Sequence, residues 1–205
     1  MVQIIEKVIN NLKVNNMNGY YLSNKEELIF LLKGLIPENS SVGCGDSVTL
    51  EELGIFEYLR AANIDFYDKY KEGLTREQKR EIYLKNFQVD IFISGCNAVT
   101  TQGDIINIDG NGSRVAPMIY GPSKVILIIG TNKITQSEEE GLQRVRQIAA
   151  PLDAKRLMKK TPCVKLDKCI NCKSKDRICN SFVKISRQFD SNRIHVIIVE
   201  GSYGY

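Results

Sequence analysis

The chain has 205 residues, 43% of them apolar and 25% charged, with a formal net charge of +4. That length suits one domain with a substantial core, and the composition is ordinary for a globular protein. The small charge excess, with no concentrated basic stripe, argues against nucleic acid, and no apolar run approaches the length of a membrane span.

The first segment, MVQIIEKVINNLK, carries charge and Asn within its apolar pattern and lacks a small-residue cleavage site. It reads as a helix over residues 2–15, not as a signal peptide, which predicts a cytoplasmic protein. Ile4, Ile5, Val8, Ile9 and Leu12 share one face of that helix, and Asn18-Gly19 ends it. Ser23, with Glu26 three residues on, forms a capping box for a second helix through Leu28–Leu32, closed by Pro37. Ser41–Cys44 predicts a strand, followed by helices near Leu50–Leu53 and Phe56–Ala62. Ile64–Tyr67 reads as the next strand and Thr75–Phe87 as a polar-faced helix. Two near-continuous, β-branched runs, Val89–Ser94 and Val125–Gly130, read as strands buried on both faces, with a short strand-like piece, Asp104–Ile108, between them. Ser137 and Glu140 cap a helix through Gln147, Pro151 opens a shorter one, residues 161–180 form a cysteine-rich loop, Arg193–Glu200 is a last strand, and 201–205 is loop. Strands alternating with helices predict one α/β domain, its mostly parallel sheet flanked by helices, with glycine-rich loops meeting at the carboxyl ends of the strands.

Two of those loops carry the chemistry. In Gly43-Cys44-Gly45-Asp46-Ser47-Val48-Thr49 the glycines allow backbone to approach an anion, while Ser47 and Thr49 add hydroxyl donors. G-K-[ST] and G-x-G-x-x-G are both absent, so no nucleotide, flavin or nicotinamide fingerprint is present. The plainer reading of Ser47 or Thr49 is a helix cap. The second loop, Gly95 to Gly103 and on to Arg114, offers Asn97 at a strand end, Asp109 as the best acid–base candidate, and Arg114 as a fork for carboxylate or phosphate. The rival reading makes Asp109 a turn residue and Arg114 its ion-pair partner. The candidate site is therefore Asp109 and Asn97 as catalytic groups. Its ligand-binding candidates are Gly43, Gly45, Asp46, Ser47, Thr49, Thr100, Gly103, Asn107, Gly110, Arg114, Asn132 and Lys133. His195, the only histidine, sits in an apolar strand and reads as structural.

Six cysteines remain to be placed. Cys44 and Cys96 stand alone in glycine-rich loops. Cys163, Cys169, Cys172 and Cys179 form C-x5-C-x2-C-x6-C, able to hold zinc or an iron–sulfur cluster, although neither gap matches ferredoxin or zinc-ribbon spacing. Redox disulfides or an inert basic loop are the other readings, and the surrounding lysines suit an acidic partner.

Five stretches together resemble the LUD-domain (lactate-utilisation) family: GDSVTLEELGIFEYL (45–59), GCNAVTTQGDIINIDGNGSRVA (95–116), YGPSKVILIIGTNKI (120–134), RVRQIAAPLDAKRL (144–157) and the cysteine cluster (162–179). Ser113 departs from the pattern, which commonly has Asn before the arginine. The resemblance implies a fold like that of ribose-5-phosphate isomerase, glucosamine-6-phosphate deaminase and CoA transferases. It further implies a small anionic ligand in the glycine loops and a place beside iron–sulfur subunits in bacterial oxidation of lactate to pyruvate. Those relatives often carry Asp or Glu where this chain has Asn97, which cannot act as a carboxylate base. Two alternatives stand beside it: an electron-transfer or scaffold subunit acting through the cysteines, and an isomerase- or transferase-like enzyme using Asp109 or Asp46 as base. The sequence leaves open whether the chain forms a homo-oligomer.

Overall fold

A computed structural model describes residues 1–205. The first half of the chain runs α1 (Val2–Val14), β1 (Asn18–Leu22), α2 (Lys25–Leu35), β2 (Ser41–Cys44), α3 (Val48–Glu52), α4 (Ile55–Ala61), β3 (Asp65–Phe66), α5 (Arg76–Lys85) and β4 (Ile91–Ser94). The second half runs β5 (Ala98–Thr100), β6 (Ile105–Asp109), α6 (Ala116–Ile119), β7 (Lys124–Gly130), β8 (Ile134–Thr135), α7 (Glu138–Arg144), α8 (Ala150–Arg156), α9 (Pro162–Leu166), β9 (Ser181–Ile185) and β10 (Ile194–Val199). Six strands form a wholly parallel sheet in the order β1-β10-β7-β4-β2-β3, and β8-β5-β6-β9 form a smaller mixed sheet.

The apolar runs are continuous because both faces of the large sheet are covered. Val125, Leu127 and Ile129 of β7 point to one core with Ile5, Val8 and Leu12 of α1, whereas Ile126 and Ile128 point to a second core with Leu28 and Leu32 of α2 and Leu50 of α3. The smaller sheet packs Ala98, Ile106 and Ile108 on Val145 and Ala150. The chain leaves β2 outward to the edge strand β3 but leaves β4 inward toward β7. Loops diverging from neighbouring parallel strands open a crevice at their carboxyl ends, and this is where the glycine loops lie.

Several expected boundaries shift for physical reasons. Residues 18–22 do not merely end a helix but pair with β10, which is possible because Gly19 lacks a Cβ that would stand 3.0 Å from Leu12 of α1. Asn24, not Ser23, caps α2: its side chain accepts the Glu27 N–H at 2.9 Å, and Glu27, not Glu26, reaches back to the Ser23 N–H at 2.8 Å. The expected break before Pro151 is bridged by a π turn over Val145–Ala149, so α7 and α8 run on as one rod. An inserted residue of this kind accommodates a proline that has no N–H to give. The short strand β5 falls in a stretch whose sequence reads as loop, α9 lies within the expected cysteine loop because Pro162 suits a first helical turn, and β9 follows directly after that loop.

Candidate functional site

The loops after β2 and β4 cross in contact. A Cβ on Gly45 would stand 2.8 Å from Arg114 Cγ, and one on Gly95 would stand 2.5 Å from Ser47 Oγ. Glycine at both positions is what allows the crossing. Beside it lies a cavity of about 840 Å³, reached from the carboxyl ends of β2, β4 and β7 and closed by α8, residues 108–114, the cysteine segment and Tyr205. Seven basic and three acidic side chains line it, so the enclosure favours anions.

Arg114 organises one wall. NH1 donates to Asn107 Oδ1 at 2.9 Å and to the Gly95 carbonyl at 3.4 Å. NH2 donates to Asn97 Oδ1 at 2.9 Å and to the Ile108 carbonyl at 2.6 Å, and Nε stands 3.4 Å from Asp109 Oδ2. Four of the five guanidinium hydrogens are thus hydrogen-bonded within the protein and Nε faces the Asp109 carboxylate, so the fork expected to meet a ligand instead fixes the loop. Asp109, 8% exposed, also accepts the Asn111 and Gly112 N–H groups at 3.1 and 2.7 Å. Turn and ion pair are therefore both present. Asn97 uses its oxygen for Arg114 and the Ile108 N–H at 3.0 Å, which leaves its NH2 without a partner in the chain.

Lys133 differs from every other basic group here. It is 3% exposed, lines the cavity, and donates to Thr49 Oγ1 at 2.7 Å, and no carboxylate stands within ion-pair distance. Burial pushes its ammonium down to about 8, with Arg144 and Arg114 acting in the same direction. The hydroxyl of Thr49 in turn donates to the Tyr203 carbonyl at 3.0 Å. A buried ammonium carrying unshared N–H donors in a cleft is the arrangement that binds an anion or, when neutral, attacks a carbonyl.

The sequence-family comparison bears directly on this geometry: a model described as the LUD domain matches residues 5–199. The chain belongs to the LUD domain family. Among solved structures it is similar to a DUF162 family protein from Deinococcus radiodurans, with a TM-score of 0.54 and 13% identity over 98% of each chain. At that identity the likeness is one of fold. Weaker likenesses carry no argument. One is to eIF2B beta from Chaetomium thermophilum (TM-score 0.39, 15% identity, 57% of this chain and 44% of that one). Another is to ribose 5-phosphate isomerase from Plasmodium falciparum (TM-score 0.33, 13% identity, 62% and 66%). No curated protein matches.

Within this LUD domain the Gly-Cys-Gly-Asp-Ser-Val-Thr loop contributes unevenly. Ser47 lines the cavity and accepts the Leu50 N–H at 3.2 Å, capping α3, which has only five residues. Asp46 also lines it, held by the Tyr70 hydroxyl, by Lys69 at 3.5 Å and by Arg156 at 3.7 Å. Burial raises the Asp46 carboxyl, but Lys69, the Tyr70 hydroxyl and Arg156 outweigh that and leave it below the ordinary carboxylate range. A carboxylate so held is a poor proton acceptor at neutral pH.

Of the other expected residues, all but Gly110 lie behind the cavity or away from it. Gly110 lines it, whereas Asn107 is fully buried between Arg114 and the Asn97 N–H. Gly43 packs on Asn86. Thr100 bonds the Gln102 and Asp104 N–H groups, and Gly103, at φ 82°, packs on the backbone of α1. Asn132 clamps the carboxyl-terminal tail through the Tyr203 N–H and the Gly204 carbonyl. His195 is buried and satisfied by the Tyr20 hydroxyl at 3.0 Å and the Asn192 carbonyl at 2.9 Å.

Sequence reasoning missed Arg144, whose guanidinium ties the Asn97 and Asn132 carbonyls at 2.6 and 3.2 Å, and Tyr205, which lines the cavity. It also missed Arg76, Lys159, Lys175 and Arg177 on the cavity wall. Arg144 falls within the RVRQ stretch of the family pattern, but no local spacing signals the rest. The four clustered cysteines border a separate small hollow of about 20 Å³, with free thiols.

Proposed function

We propose that this LUD domain is the ligand-binding component of a lactate-utilisation system, holding an organic anion against Lys133. The observation that carries this reading is the buried, carboxylate-free ammonium of Lys133 on the wall of a net-positive cavity. The carboxylate of the ligand would complete the ion pair that the fold leaves open. The partnerless NH2 of Asn97 and the hydroxyl hydrogen of Ser47, both on cavity-lining residues, supply donors for a neighbouring hydroxyl or carbonyl oxygen. A three-carbon acid fills only part of about 840 Å³. The basic outer wall, with Arg76, Lys159, Lys175 and Arg177, then offers room for a second charged group or for an acidic surface of an iron–sulfur partner subunit.

Calorimetric titration of L-lactate and pyruvate into the full chain at pH 7 tests the reading. One saturable site is expected, weakened at least tenfold in Lys133→Met and unchanged in Lys173→Ala, a surface lysine outside the cavity. Absence of saturation, or equal affinity in the two variants, overturns it.

A further inference from the structure

The cysteine segment borders a second, smaller hollow. Cys163, Cys169, Cys172 and Cys179, which lie between residues 163 and 179, all border one hollow, together with Arg146, Arg177 and the apolar side chains of Ala150, Ala154 and Ile178. None of the four is tied in a disulfide. The Cys169–Cys172 pair is folded as a tight knuckle. Asn171 takes a left-handed backbone at φ 50°, which turns its N–H onto Cys169 Sγ at 3.4 Å. An N–H aimed at sulfur favours thiolate, the form that ligates metal. Arg177 ties the knuckle to the last cysteine, donating to the Cys172 carbonyl at 2.6 Å and the Cys179 carbonyl at 2.9 Å, and so sets positive charge beside the thiols.

We infer that these four thiols form a closed tetrathiolate site for a single soft divalent cation of the zinc type. The hollow measures about 20 Å³, room for one water-sized particle. Four thiolates around one hollow supply the complete ligand set of a single tetrahedral ion, with no open position. The sulfurs surround the hollow without yet meeting in the tight set that one ion draws together, since no three ligating side chains lie within reach of a shared metal. Closure to sulfur–metal distances of about 2.3 Å therefore pulls the segment inward. Binding of one divalent ion by four thiols releases four protons to solvent and leaves a site of charge −2 beside Arg146 and Arg177. Ala150, Arg177 and Ile178 border both this hollow and the large cavity, so the closed site fixes one wall of that cavity. The proposal does not depend on what the cavity binds.

The test is titration of the reduced, chelator-stripped full chain with Co²⁺ and then Zn²⁺. One Co²⁺ per chain is expected, with the intense visible and near-ultraviolet absorption of a tetrahedral thiolate complex, bleached by one Zn²⁺. Four of the six thiols should become protected from a thiol reagent. Cys172→Ser should weaken the metal by at least 10–100-fold, the loss typical even of an outer-shell partner. If that variant does not fold, thiol protection in the wild type still decides. No bound Co²⁺, protection of fewer than four thiols, or anaerobic uptake of iron with acid-labile sulfide in place of one ion would each overturn the assignment.

Discussion

Replacing Lys133 by Met keeps the unbranched stem and removes only the charge and its bond to Thr49 Oγ1. Burial lowers the Lys133 ammonium from 10.5 to about 8, so the folded protein gives up this proton before the unfolded chain does. Below pH 8 both states hold the proton, and the folded state bears the full penalty of a buried charge, about 3 kcal/mol for that shift. Between pH 8 and 10.5 the unfolded chain binds more protons, and wild-type stability rises. Against this penalty stands one hydrogen bond, worth about 1 kcal/mol. Lys133→Met is therefore expected to be more stable than wild type by roughly 2 kcal/mol at pH 7, with the difference vanishing by pH 10. Urea unfolding of both proteins at the two pH values measures it, and the difference between proteins cancels the other groups that titrate there. A gap that stays constant from pH 7 to pH 10 would refute the claim that Lys133 is a buried ammonium without a counter-ion.

Arg114→Met should destabilise the chain by about 3–5 kcal/mol in the same assay, because it strands the Asn97, Asn107 and Asp109 oxygens that the guanidinium satisfies. Arg114→Lys should not rescue it, since one ammonium cannot span four acceptors and a carboxylate. Ser94→Ala should raise stability by up to about 1 kcal/mol, because the buried Ser94 hydroxyl has no partner. A loss above that size would show that Ser94 Oγ is bonded.

Much of the sheet was legible in the sequence. Val89–Ser94, Val125–Gly130 and Arg193–Glu200 carry near-continuous apolar runs, and only a parallel sheet covered on both faces demands them. The meeting of the two glycine loops followed from strand order of that kind. The smaller sheet was hidden, because β5 and β9 are three and five residues long and β9 alternates burial along an edge. At the site, residue type suggested Arg114 and Asp109 as ligand groups, yet type cannot reveal whether donors are already satisfied. Satisfaction is a property of three-dimensional neighbours, and Arg114 has five of them. Lys133 stands in the sequence as a candidate anion ligand beside Arg114, with nothing there to rank one above the other. Its importance comes from burial without a carboxylate, to which the tail contributes: a Cβ on Gly204 would stand 3.3 Å from its ammonium, and the φ of 57° there favours glycine.

The most direct test of the account is the pH profile of lactate or pyruvate affinity in wild type and Lys133→Met. If the Lys133 ammonium holds the anion, the wild-type association constant is level up to about pH 7 and then falls about tenfold per pH unit above about 8, where the ammonium loses its proton. The variant shows weak binding with no such fall. An affinity that stays flat to pH 10, or a fall of the same size in Lys133→Met, would contradict the account.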